Sequence, residues 1–359
     1  MPSDTFTNVI WYGLTLATAV ALALYITPLT IRVALNFQIH DTPDGRLKKH
    51  TQPTPYLGGL AIASSFVIAF AVLSTPGTTN YQAMGILTGG FMVMLLGLYD
   101  DLTNLPPSVK FLGQLLAAVV IYKAGVRVDI SSLPSWANLA LTLLWVTGVA
   151  NAINIIDIMD GLAAGTALIA TAFLFAISVA SSGTQVVPFM AIALAGALFG
   201  YLRFNFEPAK IFMGDTGSLF VGFLLGSLSM VVSYSQENTL AIVAPLVLLS
   251  VPIFDTVFVA FHRARKGIPF FRGSPDHFAL RLRHAGWSVR RVVLSTYAVA
   301  VTLGILTLLV VFGPPSWVPV ALGLTLLGWI AAFIGLSRMP PPSPRPRASD
   351  DTVEAEPTI

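Results

Sequence analysis

Apolar segments of membrane-helix length follow one another from Ile10 to Leu336 with no long polar interruption, and no other feature constrains the fold as strongly. A bilayer core ~30 Å thick takes about 20 apolar residues at a rise of about 1.5 Å each. Candidate spans fall near 9–31, 57–75, 82–99, 110–124, 137–150, 162–180, 187–202, 211–233, 240–261, 292–312 and 317–337. The fold class expected is therefore an all-α polytopic membrane protein with about eleven transmembrane helices. One membrane domain covers 1–338, and a tail over 339–359, with its Pro-Pro-Pro-Ser-Pro-Arg-Pro run and acidic end, has the composition of disorder. The chain is 55% hydrophobic and 10% charged, with a mean hydropathy of +0.77, which excludes an ordinary soluble globule. Cysteine is absent, so disulfides, thiolate metal sites and thiol nucleophiles are excluded, and any metal must sit on oxygen or imidazole ligands. No Lys or Arg precedes the first apolar stretch, which therefore reads as a membrane helix and not as a cleaved signal peptide.

Cytoplasmic loops of membrane proteins collect Lys and Arg. With the N-terminus outside and the C-terminus in the cytoplasm, every Lys and Arg of this chain falls on the inner side except Lys123 and Arg127. One span miscounted in the middle would flip every later loop and destroy that asymmetry. The net charge of +3 needs no nucleic-acid partner, because these bases lie at the level of anionic lipid headgroups and nucleotide phosphates.

Carboxylates at the ends of membrane helices cost several kcal/mol unless paired or solvated. Four such clusters recur here: Asp100-Asp101 in GLYDDLTNLPPSVK, Asp157 and Asp160 in NAINIIDIMDGLAAG, Asp215 in FNFEPAKIFMGDTGSLFVG, and Asp255 in VPIFDTVFVAFHRARKG. The topology above puts all four toward the cytoplasmic face, where together they suit oxygen coordination of Mg²⁺ with a diphosphate completing the shell. Asn154, Asp157 and Asp160 are spaced by three and would share one helical face, beside Gly161, where a backbone can come close. MGDTGS puts Asp215 at a helix start, where free N–H groups favour a phosphate or a hydrogen-bonded carboxylate. Taken singly, Asp157 and Asp215 fit helix caps as well as they fit a site, and Asp255 fits a partner for a nearby Arg or His. The adjacent pair Asp100-Asp101 favours function, because the two acids repel each other and a helix C-terminus needs neither.

Lys110 and the bases Lys48 and Lys49 are explained by the inside rule alone as well as by phosphate contact. The loop FQIHDTPDGRLKKHTQPTPYLGG, carrying Lys49 and His50, could close over a nucleotide or serve as an anchor at the headgroups. The most basic inner loop, 262–291, holds His262, His277 and His284, of which His277, directly after Asp276, is the functional candidate. Phe206 and Phe212 flank the glycine-rich Asp215 segment; an aromatic there could stack on a base or sit at the membrane interface.

Taken together, GLYDDLTNLPPSVKFLGQ, NAINIIDIMDGLAAG, FNFEPAKIFMGDTGSLFVG, VPIFDTVFVAFHRARKG and HTQPTPYLGG resemble the bacterial polyprenyl-phosphate N-acetylhexosamine-1-phosphate transferases, over about residues 40–290. The resemblance is to the branch using UDP-N-acetylglucosamine. The cousin acting on UDP-N-acetylmuramoyl-pentapeptide typically carries three consecutive histidines in its last inner loop, and this chain has none. The resemblance implies a multi-pass enzyme of the bacterial inner membrane, dependent on Mg²⁺ (or Mn²⁺), with its active site at the cytoplasmic face. It would transfer N-acetylhexosamine 1-phosphate from a UDP-N-acetylhexosamine to undecaprenyl phosphate, the first membrane step of a cell-surface glycan, and release UMP. A homodimer is the assembly it leads one to expect. Carried over by position, Asp215 is the metal-binding aspartate, joined by Asp101. Asp100 aligns or deprotonates the lipid phosphate, and Lys110 lies near the phosphates. Asn154, Asp157, Asp160 and Gly161 form the nucleotide side, with Lys49, His50 and Phe212 as further substrate contacts. Two departures stand out. Where family members often read Asp-Gly-x-Asp-Gly, this chain has Asp157-Ile158-Met159-Asp160-Gly161. The pattern His-x-His-His-Arg-Leu, in the loop thought to help read the sugar, is reduced to His277 and Arg281, a catalytic and a substrate-binding candidate. The residues leave two alternatives: an enzyme of the muramoyl-pentapeptide kind, or, in a different class, a secondary transporter. Transporters, however, place buried acids near the midplane and often show internal repeats, of which this chain shows none.

Overall fold

In lipid the backbone must satisfy its own hydrogen bonds, and the chain does so almost entirely with helices. A computed structural model describes residues 2–41, 54–74, 80–181, 185–232, 234, 239–269 and 273–340. The long helix α1 (Pro2–Asn36) leads into a two-residue antiparallel pairing of β1 (His40–Asp41) with β2 (Thr54–Pro55). Then come α2 (Gly58–Leu73), α3 (Tyr81–Thr103), α4 (Pro107–Lys123), α5 (Ser135–Ile156), α6 (Leu162–Ala180), α7 (Val186–Asn205) and α8 (Gly214–Val231). A 3₁₀ turn (Thr239–Val243) opens the last third, followed by α9 (Ala244–Leu248), α10 (Ser250–Arg265), α11 (Phe278–His284), α12 (Val289–Phe312) and α13 (Trp317–Ser337).

Among the described residues, eight helices are long and apolar enough to cross a bilayer, and a bent pair makes a ninth candidate. In that pair Ala241–Leu248 and Ser250–Arg265 meet at 67°, where the sequence suggests one straight helix over 240–261. Pro252 explains the break: it has no N–H to offer Leu248, and its ring crowds that carbonyl. The helices α2 and α4, with 16 and 17 residues, are shorter. The short helix α11 lies inside the stretch 262–291 that reads as a loop.

Apolar helices in lipid gain little from hydrophobicity toward one another, so close backbone packing over small residues decides their arrangement. α7 and α8 form the buried centre, and α1 and α13 face outward along most of their length. A methyl group on Gly196 or Gly200 of α7 would run into α1 at Ala19 and Ala23, and one on Gly222 of α8 would run into Ala150 of α5. The turn from α3 to α4 is equally tight. Asn104 takes a left-handed conformation (φ 56°), its N–H reaches Asp100 O at 2.8 Å, and Pro107 occupies the first turn of α4, where a missing N–H costs nothing.

Candidate active site

The N-terminus of α8 is wedged against α2 and α3 by backbone contact. A Cβ at Gly59 would overlap the Gly217 backbone, and one at Gly97 would overlap the carbonyl of Asp215. Gly59 N–H donates to Met213 O at 3.0 Å, Gly58 N–H to Phe212 O at 3.0 Å, and Phe212 N–H to Pro55 O at 2.8 Å. Thus the described end of the HTQPTPYLGG segment is laced onto the MGDTGS turn. Gly214, with φ +69°, starts α8 from a left-handed residue close to the Asp101 carboxylate, where a side chain would be strained and crowded.

The carboxylate of Asp101 fills the helix start. Its Oδ1 accepts from Asp215 N–H at 2.8 Å, and its Oδ2 accepts from Thr216 N–H at 3.0 Å and from the Thr216 hydroxyl at 2.6 Å. The sequence leaves that N-terminus to a phosphate or to a carboxylate, and the structure supplies the carboxylate from α3. Asp101 thereby becomes a capping residue of α8 whose two oxygens both accept hydrogen bonds within the protein.

Its neighbour Asp100 turns to the opposite task. Lys110 Nζ lies 2.8 Å from Asp100 Oδ2 and 2.9 Å from Asp215 Oδ2, an ammonium bridging carboxylates from α3 and α8. Asp100 Oδ1 accepts from Leu105 N–H at 2.6 Å, which fixes the carboxylate to the α3–α4 turn. The other oxygen of Asp215, Oδ1, accepts from Asn154 Nδ2 at 2.9 Å, and the same amide reaches Ser218 Oγ at 2.9 Å. Four helices, α3, α4, α5 and α8, so deliver one charged group of hard oxygens around a single cation.

Asn154 sits in the last turn of α5, which ends at Ile156. Asp157 caps that end and Asp160 lies in the non-helical link to α6, so the spacing by three does not produce a shared helical face. Instead the link folds back. Asp160 Oδ2 accepts from Ala209 N–H at 2.8 Å, and Gly161, at φ +76°, donates its N–H to Asn205 Oδ1 at 3.1 Å. The Asn205 amide in turn donates to Ile211 O at 3.0 Å, joining the 157–161 link to the segment that leads into Asp215. Burial pushes the Asp157 carboxyl up to about 7, helped by the negative charges of Asp215, Asp101 and Asp160, so this acid holds its proton far more readily than an ordinary carboxylate. Phe212 is half-buried, with its ring 6.4 Å from that of Tyr56.

His277 and Arg281 belong to a second ionic cluster, built on α10 and α11. His277 is buried and its Nδ1 lies 2.8 Å from Asp255 Oδ2, while Asp255 Oδ1 accepts from Phe278 N–H at 3.1 Å. Arg281 is 2% exposed and turns its guanidinium inward. Its guanidinium holds Asp276 at 3.1 Å and donates to the carbonyls of Leu336 and Met339 at 3.2 and 2.8 Å, closing the C-terminal end of α13. Lys266 pairs with Asp276 at 2.6 Å; burial raises that acid, but the Lys266 ammonium and the Arg281 guanidinium outweigh it and hold it below the usual carboxylate range. Lys49 and His50 lie outside the described residues.

The sequence profile of glycosyl transferase family 4 matches residues 83–233, the stretch that runs from α3 through α8 and carries the whole bridged cluster. A Bacillus subtilis protein described as a probable undecaprenyl-phosphate N-acetylglucosaminyl 1-phosphate transferase is 37% identical over 284 residues, covering 77% of this chain and 78% of its own. The chain belongs to the polyprenyl-phosphate N-acetylhexosamine-1-phosphate transferases of glycosyl transferase family 4. Two further relatives mark its breadth. The decaprenyl-phosphate N-acetylglucosaminephosphotransferase of Mycobacterium tuberculosis is 32% identical over 80% of both chains, and a phospho-N-acetylmuramoyl-pentapeptide-transferase of Oceanobacillus iheyensis is 31% identical over 70% of this chain and 82% of its own.

For a member of this transferase family, the cluster is suited to a hard divalent cation. Asp100 and Asp215 already turn one oxygen each toward a shared positive charge, and Mg²⁺ is commonly held by one or two carboxylates with water and phosphate oxygens completing its shell. Among the described residues, no three His, Asp or Glu side chains converge into a group that could hold a metal ion by themselves. The cluster and the link beside it also involve residues that sequence reading passes over: Thr216 and Ser218, one and three residues past Asp215, and Asn205 and Tyr297, which both bond Gly161 from elsewhere in the chain. The first two sit within the quoted MGDTGS motif. For Asn205 and Tyr297 no sequence signal exists, since their task is to satisfy backbone groups at a turn that the spacing misreads as helix.

Proposed function

We propose that this chain transfers N-acetylglucosamine 1-phosphate from UDP-N-acetylglucosamine to undecaprenyl phosphate at the inner leaflet of the bacterial cytoplasmic membrane, releasing UMP. The observation that carries the proposal is the bridge Asp100–Lys110–Asp215, three charges from separate helices gathered at one helix start. The sugar and the lipid acceptor are taken from the relatives' names.

In the reaction, an oxygen of the lipid phosphate forms a bond to the β-phosphorus of the UDP-sugar. The bond from that phosphorus to the oxygen bridging it to the α-phosphorus breaks, and UMP departs with the bridging oxygen. Such transfer needs positioning and charge neutralisation more than a strong base. Mg²⁺, held by Asp100 and Asp215, supplies Lewis-acid neutralisation of the diphosphate when bound. Asp100 aligns the lipid phosphate and takes its proton where one is present. Lys110 exchanges carboxylate contacts for phosphate oxygens, and Asn154 keeps Asp215 turned toward the centre. Asp101 holds the α8 start in place beneath them. Asp157, Asp160 and Phe212 line the nucleotide side.

Eleven spans result when α2, α4 and the bent α9–α10 segment are counted with the eight long helices. An outside N-terminus then places these acids and the basic loops on the cytoplasmic face. Purified protein given Mg²⁺, UDP-N-acetylglucosamine and undecaprenyl phosphate should release UMP. A panel of UDP-N-acetylhexosamines in the same assay fixes the sugar, and no UMP from any of them overturns the reaction class.

A further inference from the structure

The sequence motifs and the family match both stop short of α12, yet that helix reaches two of the links that shape the site. The Tyr297 hydroxyl donates to the carbonyl of Gly161 at 2.5 Å. At the start of the same helix, Arg290 N–H donates to Glu207 Oε2 and the Arg290 guanidinium to Glu207 O, both at 3.2 Å. The first link carries Asp157 and Asp160, and the second leads from α7 toward Asp215.

Gly161 shows why the hydroxyl matters. The residue is buried at φ +76°, so its N–H cannot continue the ladder of α5 and is taken by Asn205 of α7, while its C=O accepts two donors, the Gly165 N–H at 3.0 Å, which opens α6, and the Tyr297 hydroxyl of α12. Removing the hydroxyl keeps the helical bond but unties this turn from α12, and the 157–161 link loses its hydrogen bond to that helix. One turn further on, Gly165 has no room for a side chain, because a Cβ there would overlap the Tyr297 ring and hydroxyl. The Tyr297 ring is therefore packed directly against the Gly165 backbone of α6, with its hydroxyl on the Gly161 carbonyl.

We propose that Tyr297 is a positioning residue for the nucleotide half of the site: it registers the 157–161 link, and with it Asp157 and Asp160, against the Glu207 segment through α12. The inference rests on the UDP-sugar reading above. It is tested with Tyr297→Phe, which keeps the ring and removes only the donor, and with Tyr297→Leu, which removes the ring. Turnover is followed by UMP release while each substrate is varied, and UMP binding is measured by calorimetry on the same detergent-purified proteins. Tyr297→Phe should raise KM for UDP-N-acetylglucosamine and weaken UMP binding by about ten-fold, the scale of one hydrogen bond in a buried turn. KM for undecaprenyl phosphate and the melting temperature should stay near wild type, while Tyr297→Leu should melt earlier. Equal UMP affinity in wild type and Tyr297→Phe overturns the inference, as does an equal rise in KM for both substrates, which marks general damage. If wild-type protein binds UMP but releases none from any UDP-sugar, the reaction class falls, and a ten-fold affinity difference still upholds the role of Tyr297.

Discussion

Asp101 of α3 caps the helix that carries Asp215, accepting from the backbone N–H groups of Asp215 and Thr216 at 2.8 and 3.0 Å. An acid adjacent to a charge-bridged acid thus directs its charge to the dipole of α8, so the two members of the Asp100-Asp101 pair take different partners, Lys110 for the one and a helix start for the other.

Replacing Asp101 by Ala should lower thermal stability by about 1–2 kcal/mol, the worth of a helix cap, and reduce turnover along with it. Replacing Asp215 by Asn should leave the melting temperature within a few degrees of wild type while UMP release falls by about a hundred-fold or more, the scale of losing a charged group that acts on the transition state. Melting curves and turnover on both variants check the division. An Asp101→Ala protein that melts as wild type but is inactive would return Asp101 to the metal.

Lys110 stands where its two carboxylates want a cation. Lys110→Ala should abolish turnover, because the phosphates lose their partner, and should also make the protein respond more strongly to Mg²⁺, because two acids are left facing each other without an ammonium. The rise in melting temperature on adding Mg²⁺ should be larger in the variant than in wild type. A smaller rise would show that Lys110 helps to hold the ion instead of competing with it.

Asp157 titrates near neutrality. Its folded-state value of about 7 lies above the ordinary carboxylate value, so the folded protein favours the neutral acid. The stabilisation is complete below the unfolded value of about 4 and is lost as pH rises through about 7. In the absence of divalent ion and nucleotide, the melting temperature of wild type should therefore decline between pH 5 and 8 more steeply than that of Asp157→Asn. Parallel curves for the two proteins would count against the shifted acid.

Arg281 is buried on Asp276 and on the last carbonyls of α13. Arg281→Ala should cost about 1–3 kcal/mol, since the carbonyls of Leu336 and Met339 lose their donor while Lys266 still pairs with Asp276. Arg281→Lys should recover little of it, because an ammonium cannot span both carbonyls and the carboxylate. A variant with unchanged melting and a raised KM for the sugar nucleotide would instead restore the contact with substrate.

Much of this molecule is readable in its residues, for reasons that differ by level. The spans are legible because lipid enforces long apolar runs, and eight of the expected stretches hold helices long and apolar enough to cross a bilayer among the described residues, while 57–75 and 110–124 hold shorter helices and 240–261 a bent pair. Asp100 and Asp215 are legible because a carboxylate at a membrane-helix end needs a reason, and they do meet on Lys110, with Asn154 bonded to Asp215. The helical face through Asn154, Asp157 and Asp160 fails because periodicity carries no information on where α5 stops; Gly161 in a left-handed conformation decides that. Arg281 misleads because a cation in a basic loop looks the same in sequence whether it faces a phosphate or the end of a neighbouring helix. Asp101 falls between these cases, since the MGDTGS turn advertises a vacancy for an anion without saying which anion fills it.

The contact of Gly59 with Gly217, and of Gly97 with the carbonyl of Asp215, leaves main chain against main chain beneath the bridged acids. Nothing compressible lies between them, so the floor of the cluster cannot adapt by repacking. Divergence among relatives would therefore have to proceed through the surrounding loops. Even alanine at either glycine would shift the bridged carboxylates, making these two smallest side chains among the least replaceable positions in the protein.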